Sequence, residues 1–246
     1  KVNDFNGTLT VSVFDKAVEV TTLANDGGNP FTYSLQKNLL YKGNVEVTDG
    51  SFTFSFIVPR DISYKFGFGK ISYYAQSATT DASGSYENLV VGGDGQNVTN
   101  DNAGPLILLF MNDRYFINGG TTDENPLLIA TVSDESGINT VGTGIGHDLT
   151  AILDDNLDNP FILNDYYESD VNTFESGKII FPLVGLPEGK HRIVVRAWDV
   201  HNNSSEAVID FTVVPAGTFV IENPLCFPNP FSEYTDVTYS HNQQGK

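Results

Sequence analysis

Hydrophobic and polar residues alternate along much of the chain, and this alternation is the pattern of a half-buried β-strand. In residues 8–13 the odd positions are apolar and the even positions are Thr or Ser. Residues 51–56 repeat the alternation with Phe at every second position. No window keeps apolar residues at helical spacing for more than about a turn and a half. The pattern therefore predicts an all-β protein.

A first domain is predicted over residues 1–100. Asp49-Gly50 separates the alternating segments 45–47 and 51–56. This dipeptide favours a tight hairpin turn, because both central residues of such a turn need a positive φ. Further strands are expected at 70–75 and 89–91, followed by a linker rich in Gly and Asn over 92–102. We expect this part to form a β-sandwich.

A second domain is predicted over residues 101–215. Its short strands are separated by turn signals, as in an immunoglobulin-like sandwich. They are expected at 106–110, 127–132, 149–153, 178–181, 191–198 and 207–214. Two further strands, at 219–221 and 236–239, fall in a proline-rich tail over 216–246. The predicted architecture is two immunoglobulin-like β-sandwich domains in tandem, followed by a truncated C-terminal β segment.

Composition narrows the class of function. The 246 residues carry 13 basic and 31 acidic side chains, a formal charge of −18, which repels nucleic acid. No apolar run approaches the roughly 20 residues of a membrane-spanning helix. Cys226 is the single cysteine, so no internal disulfide forms. Because residue 1 is Lys, we expect the chain to be a piece of a longer protein.

Catalytic residues are not evident in the sequence. A nucleophilic cysteine needs a nearby base and positive charge. Cys226 has no Lys or Arg between Arg196 and Lys246, although His241 lies downstream. Cys226 is therefore expected to be a small apolar residue, and a peptidase activity of the chain itself would need a histidine beside it.

Acidic residues are concentrated in one part of the chain. Residues 115–177 contain 12 carboxylates and no Lys or Arg. Within them Asp154, Asn156, Asp158 and Asp165 have the spacing of ligands in a calcium loop. The sixth position is Asn159 instead of Gly, and no helices are predicted on either side. Calcium is thus a possible ligand here, and a solvated acidic loop is the alternative.

A second candidate is a glycine-rich loop. Gly144, Gly146, His147 and Asp148 follow one another closely, and glycines permit close approach of a ligand to the backbone. No helix is predicted after this loop, so it is not a dinucleotide-binding motif. It is either a binding loop or a structural loop, and no cofactor is required by any motif.

Several segments together resemble a known family. They are 55–62 (Ser-Phe-Ile-Val-Pro-Arg-Asp-Ile), 69–75, 137–148, 163–167, 197–206 (Ala-Trp-Asp-Val-His-Asn-Asn-Ser-Ser-Glu) and the tail Phe-Pro-Asn-Pro-Phe at 227–231. The chain is similar in these segments to the C-terminal region of the type IX secretion sortases of Bacteroidetes, which are gingipain-like cysteine peptidases. The tail resembles the start of a C-terminal sorting domain, in which Tyr is more usual than Cys226.

This resemblance implies a non-catalytic docking region of a cell-surface enzyme. The family's catalytic His and Cys lie upstream and match no residue here. The full enzyme would remove sorting domains from secreted cargo and attach the cargo to surface lipopolysaccharide. Expected partners are the catalytic domain and outer-membrane components of the secretion system.

The rival hypothesis is a carbohydrate-binding or adhesive surface module, suggested by Trp198 and by many Tyr and Asn residues. By strand parity, Ile193 and Val195 should face the core, and we expect Trp198 to cap that core at the strand end. An exposed Trp198 beside other aromatic rings would favour the adhesive hypothesis.

Overall fold

The computed structural model describes residues 4–60, 62–93, 101–140, 146–215, 218, 220–230 and 232–241. Seventeen strands and one short 3-10 helix, Asn164–Tyr166, make up the regular structure of these residues. They contain no α-helix, so the prediction of an all-β protein is confirmed.

The first half of the chain contains six strands, and four of them form one antiparallel sheet in the order β4-β1-β5-β6. The strands are β1 (Gly7–Phe14), β2 (Val18–Thr21), β3 (Thr32–Leu35), β4 (Leu39–Val47), β5 (Gly67–Gln76) and β6 (Asp81–Val91). β2 and β3 pair separately as a hairpin. Leu9, Val11 and Val13 are fully buried on one face of β1, as the alternation predicts.

The segment after the Asp49-Gly50 turn differs from its prediction. Asp49 and Gly50 have φ values of 50° and 68°, and Thr48 bridges Ser51, so the turn is present. Residues 52–59 are not a strand, however. The rings of Phe54 and Phe56 stack on Tyr41 of β4, with centroids 6.0 and 4.8 Å away. The phenylalanines cover the buried face of the sheet, because packing rings on that face buries apolar area.

The second half forms two sheets that share one core. One has the order β11-β10-β14-β15-β8 and the other β12-β13-β9-β7. Their strands are β7 (Leu106–Met111), β8 (Thr121–Thr122), β9 (Leu127–Ser133), β10 (Thr150–Leu153), β11 (Phe161–Ile162), β12 (Tyr167–Ser169), β13 (Ser176–Pro182), β14 (Gly189–Trp198) and β15 (Ser204–Val213). Leu128 and Ile179 from one sheet meet Ile193 and Phe211 from the other in this core. This is a sandwich-type arrangement.

Residues of the second half form hydrogen bonds with the outer edge of β4. The backbone N–H of Asn44 donates to Ser169 Oγ at 2.9 Å, and Asn172 N–H donates to the Asn44 carbonyl at 2.9 Å. Asn172 Oδ1 accepts from the Glu46 N–H at 2.8 Å. Phe174 then packs against the core under the first sheet. The two halves are thus joined by main-chain hydrogen bonds and by a shared aromatic side chain.

The tail forms a hairpin of β16 (Ile221–Phe227) and β17 (Asp236–His241). Its apolar side chains are largely exposed, including Leu225 and Phe227. β17 agrees with the strand predicted at 236–239, whereas β16 shares only Ile221 with the strand predicted at 219–221, of which residue 219 lies outside the described residues. None of the helices found in the described part of the chain is long and apolar enough to cross a membrane.

Candidate functional site

The turn after β14 is organised by one buried carboxylate. Asp199 is fully buried, and its Oδ1 accepts hydrogen bonds from the backbone N–H groups of His201 at 2.8 Å and Asn203 at 2.7 Å. Its Oδ2 accepts from the Asn203 side-chain amide at 2.6 Å. Such Asx hydrogen bonds fix a tight turn. Asp199 therefore holds the backbone of residues 199–203 in place.

Asp101 and Ser136 lie against this turn. Ser136 Oγ donates to Asp101 Oδ2, and the Asn203 amide donates to the Asp101 carbonyl at 3.2 Å. The buried His201 ring has its Nδ1 3.6 Å from Asp101 Oδ2. The hydrogen bond from Ser136 is the main reason that the pKa of Asp101 is lowered. Residues distant in sequence thus meet in one polar cluster.

Asp134 completes the cluster. Its Oδ1 accepts from the Ser136 N–H at 2.8 Å. The pKa of Asp134 is raised to about 6, chiefly by burial and in part by the negative charges of Asp199 and Asp101. The Ser136 hydrogen bond and His201 act in the opposite direction. Three carboxyl groups and one imidazole therefore share a partly desolvated space, which we call the junction cluster (Asp101, Asp134, Ser136, Asp199, His201 and Asn203).

The junction cluster lies where the two halves of the chain meet. The Arg60 N–H donates to the Val200 carbonyl at 3.0 Å, and Arg60 Nη1 donates to the His201 carbonyl at 3.4 Å. A groove of about 630 Å³ runs beside it, lined by Phe56, Tyr64 and His201 among other residues. A change in the junction cluster would therefore alter the contacts of Arg60 and of the segment before it, which packs on the first sheet.

Chemically, the cluster offers ligands for a cation and a site for a proton. Ligand atoms of Asp101, Asp199 and His201 lie within 4.8 Å of one another. Carboxylate oxygens with an imidazole nitrogen are a donor set that divalent cations accept. The sequence analysis missed this site because its members come from three separate loops. Asp199, Asn202 and Asn203 are residue types typical of a turn, but the sequence does not show that Asp101 and Asp134 lie beside that turn.

The predicted calcium residues lie at one end of the second half. Asp154, Asn156, Asp158 and Asp165 are all exposed, and Asp165 lies in the 3-10 helix. Both carboxylate oxygens of Asp154 are engaged by protein groups, as described next. The three carboxylates do not form a group of ligand atoms as close as that of the junction cluster in the parts of the chain that the structure covers. The calcium site stays a prediction.

Asp154 is paired with a buried histidine. Its Oδ2 lies 2.7 Å from His191 Nδ1, and its Oδ1 accepts from the Arg192 N–H at 2.9 Å. His191 Nε2 lies 2.7 Å from the Pro187 carbonyl. Because both ring nitrogens face acceptors, the charged imidazolium fits this site best. Burial lowers the pKa of His191, but the hydrogen bonds to Pro187 and Asp154 outweigh it, so the pKa is raised.

The predicted glycine-rich binding loop is described in part. Gly144 lies outside the described residues. Gly146 is exposed with a φ of 88°, and His147 and Asp148 are half-buried. The His147 ring lies against Trp198, with centroids 4.3 Å apart. The loop therefore covers an aromatic ring, and its role in binding stays a prediction.

Trp198 is not where the sequence analysis placed it. Ile193 and Val195 are fully buried in the core, as predicted. Trp198 lies on the opposite face of β14 with Arg196, it is half-buried, and it is not part of the core cluster. The prediction that it caps the core is wrong, because residue 198 has the parity of the outer face and His147 covers it there.

Cys226 lies exposed on the tail hairpin, where it pairs with Val237. His241 pairs with Ile221 at the other end of the same hairpin. Strand residues rise about 3.3 Å each, so roughly 13 Å of strand separates the two positions. The hairpin does not bring this thiol and this imidazole together.

The sheets and shared core define the chain as an all-β, sandwich-type protein. A crystal structure of dimeric latent PorU from Porphyromonas gingivalis matches it, with 34% of residues identical over 97% of this chain and a TM-score of 0.47. This chain spans 23% of that PorU chain. No family profile and no curated protein matches it. The chain is thus similar in sequence to this PorU over nearly its whole length, in agreement with the resemblance seen in its motifs.

Proposed function

We propose that this chain is a non-catalytic docking region of a PorU-like cell-surface cysteine peptidase. The observation that carries the proposal is its 34% identity to PorU over 97% of its length, within a segment that is 23% of the PorU chain. The rest of such a protein has ample length for a separate catalytic domain. The enzyme as a whole would process secreted cargo and join it to surface lipopolysaccharide.

The geometry of the chain supports docking rather than chemistry. Its only thiol is exposed and lies at the opposite end of the tail hairpin from His241. A nucleophilic cysteine needs a base within hydrogen-bond reach, and this hairpin does not provide one. The hydrogen bonds around Asn44 and Asn172 join the two halves of the chain. Because the halves are joined, both can contribute residues to one surface that binds a partner.

The acidic surface suggests the chemistry of a partner. Residues 115–177 carry 12 carboxylates and no Lys or Arg. Such a surface attracts basic groups or multivalent cations and speeds their association. Outer-membrane components of the secretion system with basic surfaces, or surfaces bridged by calcium, would suit this face.

The proposal is tested by competition. The purified chain, added in excess to a full-length PorU-like peptidase and a secreted cargo protein, should slow cargo processing without changing hydrolysis of a short peptide. The Cys226→Ala variant should compete equally well. Unchanged cargo processing, or peptide hydrolysis by the isolated chain that Cys226→Ala abolishes, would contradict a non-catalytic docking role.

One observation keeps a second candidate function, glycan binding, open. Trp198 lies outside the core, on an outer sheet face, and contacts the His147 ring at 4.3 Å between centroids. Aromatic rings on a sheet surface are a common platform for sugars. Binding to a glycan array that disappears in Trp198→Ala, with the fold retained, would favour an adhesive module over a docking region.

A further inference from the structure

The free edge of the first sheet is open to another strand. The sheet order places β6 at the edge opposite β4, and no other strand in the described part of the chain pairs with its outer side. The side chains of residues 81–88 are all exposed. Natural edge strands are usually protected by Lys, Pro, bulges or a covering loop. Residues 81–86, Asp-Ala-Ser-Gly-Ser-Tyr, contain neither Lys nor Pro.

The regular part of this edge ends at Tyr86. The register between β5 and β6 is regular from Gln76 paired with Asp81 to Ile71 paired with Tyr86, and it shifts between Ile71 and Gly69. Six residues of undistorted backbone are thus available, and this length matches a typical strand.

A glycine interrupts the aromatic side chains beside this edge. Gly84 pairs with Tyr73, and a Cβ atom at Gly84 would meet no atom within 4 Å. The ring of Phe52 lies 5.7 Å from that of Tyr73. Tyr86, on the same face as Gly84, is 49% exposed, and Phe52 is 41% exposed. There is therefore room above Gly84 for a side chain of an added strand, with aromatic rings around it.

The charge of the surroundings indicates which type of side chain an added strand would place over Gly84. The charged residues of β6 are Asp81 and Glu87, both acidic, and the chain as a whole carries −18. Lys70 approaches Glu87 at 3.6 Å, but both side chains are exposed, so this pair offsets little of the field. Faces of aromatic rings attract Lys and Arg. Local charge, overall charge and ring chemistry all favour a basic partner.

We propose that the β6 edge binds an extended, basic polypeptide segment by strand addition. The segment pairs its backbone with residues 81–86 and places a Lys or Arg side chain over Gly84, against the neighbouring rings. Main-chain hydrogen bonds supply affinity and alternate side chains supply specificity in this mode of recognition. The proposal adds a partner chemistry to the docking role, and it rests on that role only for its biological setting.

The test uses a fluorescein-labelled nine-residue peptide in which Arg alternates with Thr, titrated against the chain and followed by fluorescence polarisation. An added strand points every second N–H toward the sheet. N-methylation of one alternate set of backbone amides should weaken binding by about tenfold or more, and methylation of the other set should leave it within about twofold. Equal effects of the two sets would overturn strand addition, because non-specific attraction of positive charge does not distinguish them.

Two variants of the chain locate the site. Gly84→Val fills the space over the strand and should weaken binding of the unmodified peptide by about tenfold. Ser85→Val, the matched control, changes the adjacent residue on the opposite face and should bind as the parent does. Thermal unfolding checks that both variants fold. Equal binding by Gly84→Val, or self-association of the chain through β6 that excludes the peptide, would overturn the proposal. Either result leaves the cargo-competition test of the docking role unaffected.

Discussion

At the scale of single residues, Asp134 links pH to the stability of the junction cluster. Burial and the charges of Asp199 and Asp101 raise its pKa from 3.8 to about 6. A carboxyl group with a raised pKa in the folded state stabilises the fold at low pH, and that contribution is lost as the pH rises through the folded pKa. Above about pH 6, folding must keep a negative charge next to two others.

Asp134→Asn should therefore raise the melting temperature at pH 8 and leave it nearly unchanged at pH 4, because an amide resembles the neutral carboxyl group. Circular dichroism melts across this pH range measure the effect. Glu135→Gln, an exposed neighbour, is the control and should show little change at either pH. A melting-temperature difference that is the same at every pH would show that Asp134 is not held neutral by the cluster.

Substitution of single residues can show whether calcium binds at the predicted loop or at the junction cluster. We expect millimolar calcium to raise the melting temperature more than sodium chloride of equal ionic strength does, because a ligand of the folded state stabilises it. If the site is the predicted loop, Asp154→Asn with Asp158→Asn removes the increase. If it is the junction cluster, Asp101→Asn removes it. Identical melting curves in the two salts would exclude calcium binding at either place.

At the scale of elements, the two faces of β14 have different environments, one in the core and one on the outside of the sheet. Ile193 is fully buried between the sheets, whereas Trp198 lies half-buried on the outer face. Ile193→Ala should cost about 2–5 kcal/mol, the range for core truncations. Trp198→Ala should cost less despite the larger side chain. Urea unfolding of the two variants measures both costs. A larger loss of unfolding free energy for Trp198→Ala than for Ile193→Ala would show that the indole is part of the core.

The alternation of apolar and polar residues predicted best those strands that have one buried face and one solvent-exposed face, although it found only residues 45–47 of β4. Strand alternation placed β1, β5, β9, β13, β14 and β15 within a few residues of their bounds. It failed for residues 52–56, because alternating rings pack equally well on the face of a sheet as within one. The junction cluster was out of reach, since Asp101, Asp134 and Asp199 meet only through the tertiary fold. The sequence also did not predict that β6 lies at the edge of its sheet, because hydrophobic periodicity identifies strands but not their order in a sheet.

At the scale of the whole molecule, the contacts around β4 make the two halves interdependent. Phe174 extends from the second half into the core under the first sheet, and Asn172 bonds the backbone of β4. We expect a single calorimetric unfolding transition for the chain. Phe174→Ala combined with Asn172→Ala should divide it into two transitions, because each half retains most of its own core. Two transitions in the parent chain would show that these contacts do not couple the halves.

We propose that this region docks partners and performs no chemistry within a PorU-like enzyme. The most direct measurement compares kcat/KM of the full-length peptidase with that of a form lacking this region, on a secreted cargo protein and on a short peptide. We predict that deletion lowers kcat/KM for the cargo by about tenfold or more and leaves the short peptide within about twofold. An equal loss on both substrates, or no loss on cargo, would contradict this account.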